Sequence, residues 1–438
     1  MIYKEDFMLG VIVLLILVVI ELGFMVYCLR TKSEQRKVKH IIRLYEFALF
    51  CFLVMFRVVQ FNFRWYMLFI ILLIQAIIGI VFLVKKPESI KVFKKKYAVL
   101  SCINRCLLLV IAIIPSVLFP QFANFEPSGN YSVATESYTF TDADRVETYS
   151  NDGDNRKITV QFWYPGADSK NKKYPLVIFS HGAFGFRGSN YSTFMELASN
   201  GFVVCSVDHT YQSFFSKQVD GKTVIVNNDF INDAIAVQNG DYDDEKTFKL
   251  THEWLKLRTD DINFVLETIL NNKSDEYVYK IIDTEKIGLF GHSIGGATAA
   301  ELGRIRKDID AVIVIDGTMI GEEIDLRDGK SVLNNEAYPV PILNIYNEEH
   351  YNEALLNSSN YANMVASENA IDSYDVVFKE SGHLNFTDLP LFSPFLAKML
   401  GTGNIEKVYC IEKMNNVVLD YFNYYLKDSK ELNIMTEY

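Results

Sequence analysis

Gly291-His292-Ser293-Ile294-Gly295-Gly296 follows the apolar run Ile287 to Phe290 and precedes a stretch of small, helix-compatible residues, Ala297 to Leu302. The serine therefore sits on a strand-to-helix turn, the setting of a nucleophile elbow. Such a turn is sharp enough that side chains two positions either side of the serine would collide, so Gly291 and Gly295 are the residues it requires. Ser293 is left exposed at the end of its strand.

Working outward, strand-like segments fall at Tyr131 to Thr139, Lys157 to Tyr164, Leu176 to Ser180 and Phe202 to Val207, with a helix predicted over Tyr191 to Asn200. A helix over Thr251 to Leu270 leads to the elbow strand. Strands at Ala311 to Ile315, Pro341 to Tyr346 and Asp375 to Phe378 follow, and a helix near Asn415 to Leu426 closes the chain. Strands alternating with helices imply a mostly parallel sheet with helices on both faces. This is the layout of an α/β-hydrolase fold, expected over residues 131 to 438. The order breaks between Asp208 and Leu250, an insert too long for an ordinary βα loop that emerges at the serine's end of the sheet, where long loops commonly shape or cover a pocket.

A serine hydroxyl becomes a nucleophile near neutral pH when a histidine takes its proton and a carboxylate fixes that histidine's tautomer. In this fold the chain order is serine, acid, histidine. Only His350 and His383 follow Ser293. His383, five residues past the last strand in Ser381-Gly382-His383-Leu384, is the expected base, whereas His350 stands at the start of a helix. Asp316, ending its strand ahead of Gly317, is the expected acid; Glu348 and Glu349, after the next strand, are the alternatives. The oxyanion donors are expected to be the backbone N–H groups of Ile294, directly after the nucleophile, and Ala183, in the turn His181-Gly182-Ala183-Phe184. His181, His209 and His292 read as structural.

The amino-terminal 120 residues differ in kind. They carry 16 Lys+Arg against 6 Asp+Glu, a balance of +10, whereas residues 121 to 438 carry 27 against 48, a balance of −21. Four apolar runs, about 7 to 29, 44 to 59, 65 to 84 and 97 to 119, approach the length of roughly 20 residues that crosses a bilayer. The first is long, lacks a basic flank and is followed by no small-residue cleavage site, so it reads as an anchor and not a signal peptide. Six basic residues lie between the first and second runs (Arg30, Lys32, Arg36, Lys37, Lys39, Arg43) and six between the third and fourth (Lys85, Lys86, Lys91, Lys94, Lys95, Lys96). Both loops are expected in the cytoplasm, which requires two spans between them and places everything after Phe119 outside. Residues 121 to 130 read as a linker. Glu21 and Arg105 lie at similar depth inside their runs; either they meet, or Arg105 snorkels toward the cytoplasmic headgroups while Glu21 is protonated or faces another helix.

Only two of six cysteines, Cys205 and Cys410, fall in the exported part, so its fold does not depend on disulfides. The acids of the insert have no metal-loop spacing, and no metal or cofactor is expected. A −21 domain excludes a nucleic-acid partner.

The segments Ser180-His181-Gly182, Gly291 through Thr298, Ile315-Asp316-Gly317, Ser381 through Phe386, and Trp254-Leu255-x-x-Arg258-x-x-Asp261 together resemble the platelet-activating factor acetylhydrolase family, the lipoprotein-associated and type II phospholipases A2. The resemblance covers roughly residues 155 to 390. It implies an acid after the strand that follows the elbow, hence Asp316 over Glu348, and calcium-independent hydrolysis of short or oxidised acyl chains from glycerophospholipids. The membrane runs have no counterpart in that resemblance. The expectation is a membrane-anchored serine esterase acting on a lipid or small ester. A general carboxylesterase or envelope acyltransferase stands as the alternative within enzymes, and an inactive membrane sensor as the alternative outside them.

Overall fold

The computed structural model describes residues 6–85, 93–121, 126–166 and 172–438. Part of the second basic loop (86–92) and part of the expected linker (122–125) lie outside the described residues. The chain forms two compact units: Met1–Asn124 with Leu391–Leu396, and Phe125–Pro390 with Ala397–Tyr438.

The first unit contains helices α1 (Asp6–Thr31), α2 (Arg36–Met55), α3 (Phe63–Lys85) and α4 (Lys95–Leu118). Among the described residues, three helical segments are long and apolar enough to cross a membrane: Met8–Thr31, Phe63–Lys85 and Lys95–Leu118. Their outward residues include Leu15, Val19, Ile70, Ile77, Leu107 and Ile111, all exposed. The α2 helix begins earlier than the run expected there and so takes in Arg36, Lys37, Lys39 and Arg43 besides Glu46 of that run. Two of these charges point inward. Arg43 pairs with Glu21 of α1 and, at 3.0 Å, with Glu46; Arg105 of α4 reaches Glu46 at 3.1 Å and Glu21 at 3.6 Å. All four are buried. Two carboxylates and two guanidinium groups thus cancel one another where an unpaired ion would be costly. Glu21 and Arg105 thus meet at 3.6 Å, while Glu21 also faces another helix, α2, through Arg43. A dry core of Val13, Leu17, Phe50, Trp65, Leu68, Leu72 and Leu109 packs the same unit.

The second unit is built on β1 (Val133–Val146), β2 (Asn155–Pro165), β3 (Tyr174–Ser180), α5 (Tyr191–Ser199) and β4 (Val203–Asp208). The 208–250 insert then folds into a small hairpin, β5 (Phe215–Lys217) and β6 (Thr223–Ile225), and a helix, α6 (Asn228–Asn239). Next come α7 (Asp244–Leu270), which starts seven residues before the expected helix, α8 (Tyr277–Lys280), β7 (Ile282–His292), α9 (Ile294–Ile305) and β8 (Ala311–Ile315). A second hairpin, β9 (Glu323–Arg327) and β10 (Lys330–Leu333), is followed by β11 (Ile342–Asn347), α10 (Glu348–Leu356), α11 (Ala362–Asn369) and β12 (Ser373–Phe378). Of the last helices, α14 (Lys407–Lys427) belongs to this unit, while α12 (Leu389–Phe392) and α13 (Pro394–Met399) each contribute residues to both units.

Eight strands form one sheet in the order β1-β2-β4-β3-β7-β8-β11-β12. Strand β2 is antiparallel to both neighbours, and from β4 to β12 every pair is parallel. Alternation along β3 explains the two-sided burial. Leu176 and Ile178 join the core under α7 and α9, while Val177 and Phe179 join the core under α5 and α14. Because β7, β8, β11 and β12 run the same way, the loops that leave them all emerge at one sheet edge. Residues far apart in sequence are brought together there.

Candidate active site

Ser293 joins β7 to α9 with φ 57° and ψ −130°, a conformation rarely adopted by a residue with a side chain. Strain of this kind costs roughly 1–3 kcal/mol and persists where the surroundings enforce it. The enforcement is visible. The Ser293 N–H donates to the Ile315 carbonyl at 2.8 Å, and its own carbonyl accepts from Gly296 at 2.8 Å and Ala297 at 3.2 Å. A Cβ on Gly291 would lie 2.2 Å from the Gly295 carbonyl, and one on Gly295 would lie 2.0 Å from the Ser180 oxygen. Both elbow glycines are therefore sites where strand, turn and helix backbones touch.

Asp316 follows β8, the neighbour of the elbow strand, and its carboxylate is buried. His383 Nδ1 donates to Asp316 Oδ2 at 2.7 Å. Asn347 adds two donors to the carboxylate, its N–H at 2.8 Å to Oδ1 and its Nδ2 at 2.6 Å to Oδ2. Burial alone would raise the Asp316 pKa, but hydrogen bonds from His350 and His383 outweigh it and hold the carboxyl well below the usual carboxylate range. Glu348 is engaged elsewhere: it accepts from the Glu380 N–H at 2.8 Å and lies 3.7 Å from Lys379. Of the candidate acids, the structure thus brings Asp316 to His383.

His383 sits on a loop tied down by Asn385, whose Oδ1 accepts from the N–H groups of Gly382 at 2.9 Å and Gly403 at 2.7 Å. His292, beside the serine, is more than a core filler. Its Nε2 donates to the His383 carbonyl at 3.0 Å, and the two rings lie 4.4 Å apart. That contact links the elbow to the histidine loop, and no local pattern in the sequence marks it.

The turn His181 to Phe184 packs directly on the elbow, since a Cβ on Gly182 would lie 3.2 Å from Ser293 Cβ. Its backbone is braced from beneath. Buried Arg258 donates to the His181 carbonyl at 2.5 Å and to Gln212 Oε1 at 2.7 Å, and the His181 ring bonds Ser213 at 2.7 Å and the Gly182 carbonyl at 2.7 Å. Asp261 holds His209 at 3.0 Å and Arg156 at 2.6 Å, and His209 in turn holds Ser180 at 2.9 Å. The Arg258 and Asp261 positions of α7 therefore stabilise the end of β3 and the loop after it. Ile294 opens α9, so its N–H is among those with no acceptor inside the helix, and the positive end of the helix faces the serine. Ala183 and Ile294 thus flank Ser293 from two elements.

The insert contributes an apolar wall. Val226, Phe230 and Trp254 form a buried cluster against which Ala183, Phe184, Ile231, Leu250 and Ile294 pack. The Phe184 and Phe230 rings are 5.6 Å apart, and Phe230 and Trp254 are 5.2 Å apart. Among the described residues no group of three or more His, Cys, Asp or Glu side chains is arranged to hold a metal ion. All six cysteines are free, with Cys205 and Cys410 buried and their thiols pushed up by burial.

The chain matches the family model described as "Platelet-activating factor acetylhydrolase, isoform II" over residues 163–436. It is 29% identical to a cattle platelet-activating factor acetylhydrolase over 39% of this chain and 42% of that one. With the guinea pig protein of the same name it shares 25% identity, covering 58% of each chain. The match thus spans about half the length of these relatives. Among solved structures, a ferulic acid esterase from Streptomyces cinnamoneus superposes with a TM-score of 0.56 at 20% identity, covering 71% of this chain and 95% of that chain, a likeness of fold.

The buried histidines make stability depend on pH. His181 lies well below the usual imidazole range, His209 is down to about 4 and His292 to about 3, each chiefly through burial. Unfolding lets these rings bind protons near pH 6.5 that the folded protein refuses, so their contribution is whole above that value and is lost as pH falls toward the folded values. Denaturant unfolding at pH 5 is expected to give a free energy lower than at pH 7 by up to about 2 kcal/mol per buried histidine. Equal stability at the two pH values would contradict the assignment of these rings as buried and neutral.

Proposed function

As this chain belongs to the platelet-activating factor acetylhydrolase isoform II family, we propose that it is a membrane-anchored serine ester hydrolase whose triad is Ser293, His383 and Asp316. The observation that carries the reading is the 2.7 Å hydrogen bond from His383 Nδ1 to a buried, ionised Asp316 at the sheet edge where the strained Ser293 elbow emerges. With the Nδ1 proton committed to Asp316, His383 Nε2 is left as a base. It takes the Ser293 proton as Oγ attacks the ester carbonyl, and the N–H groups of Ile294 and Ala183 receive the developing oxyanion. His383 then returns the proton to the departing alcohol. Water repeats the sequence on the acyl-enzyme, with His383 again as base.

The names of the relatives and the apolar wall of Phe184, Phe230, Trp254 and Ile294 support a phospholipid-like ester with a short or oxidised acyl chain as substrate. On this reading, the part of the insert around α6 shapes the acyl site. In purified full-length protein, Ser293→Ala and His383→Ala each abolish hydrolysis. Asp316→Asn lowers kcat by about 10⁴, the loss typical of a wrong histidine tautomer. Glu348→Gln and Glu349→Gln stay within about tenfold of the parent, because neither side chain touches the histidine. Across p-nitrophenyl esters and phosphatidylcholines of graded chain length, acyl groups of about two to nine carbons are turned over faster than palmitoyl, a range that rests on the family resemblance. A dead Glu348→Gln enzyme with an active Asp316→Asn enzyme would move the acid to the next strand, and fastest cleavage of long chains would remove the acetylhydrolase-like specificity.

The same proposal places the four amino-terminal helices across the membrane, with both basic clusters toward the cytoplasmic side, the first of them largely within α2, and the hydrolase unit outside. Internal pairing of Arg43, Glu46, Glu21 and Arg105 supports the inclusion of α2, whose charges would otherwise oppose insertion. Protease added to intact cells, or to protoplasts where a wall intervenes, is expected to digest the segment from Pro120 onward. Protection until the membrane is permeabilised would invert the topology and move the substrate to the cytoplasmic side.

A further inference from the structure

Asp316 serves two histidines. While Oδ2 accepts from His383, Oδ1 accepts from His350 Nδ1 at 2.9 Å. His350 opens onto the site from the first turn of α10, where the Asn347 side chain caps the helix by accepting from the His350 N–H at 2.9 Å. Its other ring nitrogen, Nε2, bonds the hydroxyl of Tyr361, and that hydroxyl lies 3.1 Å from Thr318 Oγ1. The donor directions follow from the ends of this chain. An ionised carboxylate only accepts, so His350 Nδ1 carries the proton and, in the neutral ring, Nε2 accepts from Tyr361. Burial pushes the Tyr361 phenol up to about 12, so it remains a donor. With a neutral His350 ring, Thr318, Tyr361 and His350 all donate toward Asp316, and hydrogen bonds aligned this way polarise one another.

We infer that His350 is a positioning residue of the active site: it fixes Asp316 from the side opposite His383 and, by sharing the carboxylate's charge, sets the basicity of His383. The inference rests on the Ser293, His383 and Asp316 reading above. His350 does not itself fit the role of base, because Tyr361 occupies its Nε2 and its side chain is only 15% exposed against 43% for His383. The groups that face the His350 and Tyr361 pair are Asp316 from the loop after β8, Tyr346 of β11 with its ring 5.2 Å from the imidazole, Glu353 of α10, Glu323 of β9, and His383 across the carboxylate. The surrounding carboxylates leave the neighbourhood negative, and His350 adds its donor to those of Asn347 and His383 on Asp316.

Removing that donor concentrates negative charge on Asp316, strengthens its hold on the His383 imidazolium and raises the pH at which His383 becomes neutral. Since only neutral His383 takes the serine proton, the acid limb of kcat/KM moves to higher pH. The test compares His350→Ala, His350→Asn and Tyr361→Phe in the full-length protein, with folding checked by circular dichroism. His350→Ala is expected to lower kcat about tenfold with KM nearly unchanged and to shift the acid limb upward, the signature of a lost transition-state contact. His350→Asn, whose amide nitrogen occupies the place of Nδ1, is expected to restore most of the turnover and the parent acid limb. Tyr361→Phe frees the tautomer and is expected to cost about threefold in kcat. Should His350→Ala fail to fold, the Asn and Phe variants carry the same comparison. A folded His350→Ala enzyme with the parent's kcat and acid limb overturns the inference, as does an Asn variant no better than Ala. If instead His350→Ala is inert and His383→Ala retains turnover, it is the assignment of the base that fails.

Discussion

A buried carboxylate that stays ionised is the constraint on which the hydrolase unit depends. Asp316 has been taken out of water, which on its own favours the neutral acid, and it is kept charged by Asn347, His350 and His383. Those donors come from the end of β11, the start of α10 and the turn after β12, so the charge is stable only when the parallel strands are in register. Fold and chemistry are thereby coupled: β8 presents Asp316, β11 and α10 supply Asn347 and His350, and the loop after β12 brings His383. The strained serine is the other half of the arrangement. Its φ of 57° is enforced by backbone contacts to Ile315, Gly296 and Ala297, which belong to the neighbouring strand and its own helix.

The amino-terminal unit meets the same problem with another solution. Glu21, Arg43, Glu46 and Arg105 are buried among apolar helices, and each finds opposite charge on a different helix or one turn away. Breaking one member of such a set leaves an uncompensated ion, which costs several kcal/mol in a buried site. The network therefore links α1, α2 and α4 by specific charges, beside an apolar core of aliphatic side chains with Phe50 and Trp65.

Much of this was legible in the chain. The elbow motif with its flanking apolar run, the parallel alternation and the positions of Asp316 and His383 relative to strand ends all follow from local pattern, because strand ends in a parallel sheet share an edge. The insert was harder. Val226, Phe230 and Trp254 bury one another through contacts made after the chain turns back, so the stretch reads as irregular although it contains a hairpin and a helix. His350 was weighed only as a rival base, since nothing in Asn347-Glu348-Glu349-His350 reveals that its ring reaches a carboxylate 34 residues earlier. The link from His292 to the His383 carbonyl spans 91 residues and is equally invisible. In α2 the apolar run marks the helix's end but not its start, because Arg43 and Glu46 are paired inward and a linear reading takes Arg43 for a loop cation.

The central claim is that the strained elbow makes Ser293 a nucleophile. Treatment of the full-length protein with a fluorophosphonate, followed by peptide mass spectrometry, reads this without any assumption about substrate. The account predicts a single covalent adduct on the peptide that carries Ser293, formed rapidly near neutral pH. A folded protein that remains unlabelled, or whose adduct lies on another residue, would contradict it.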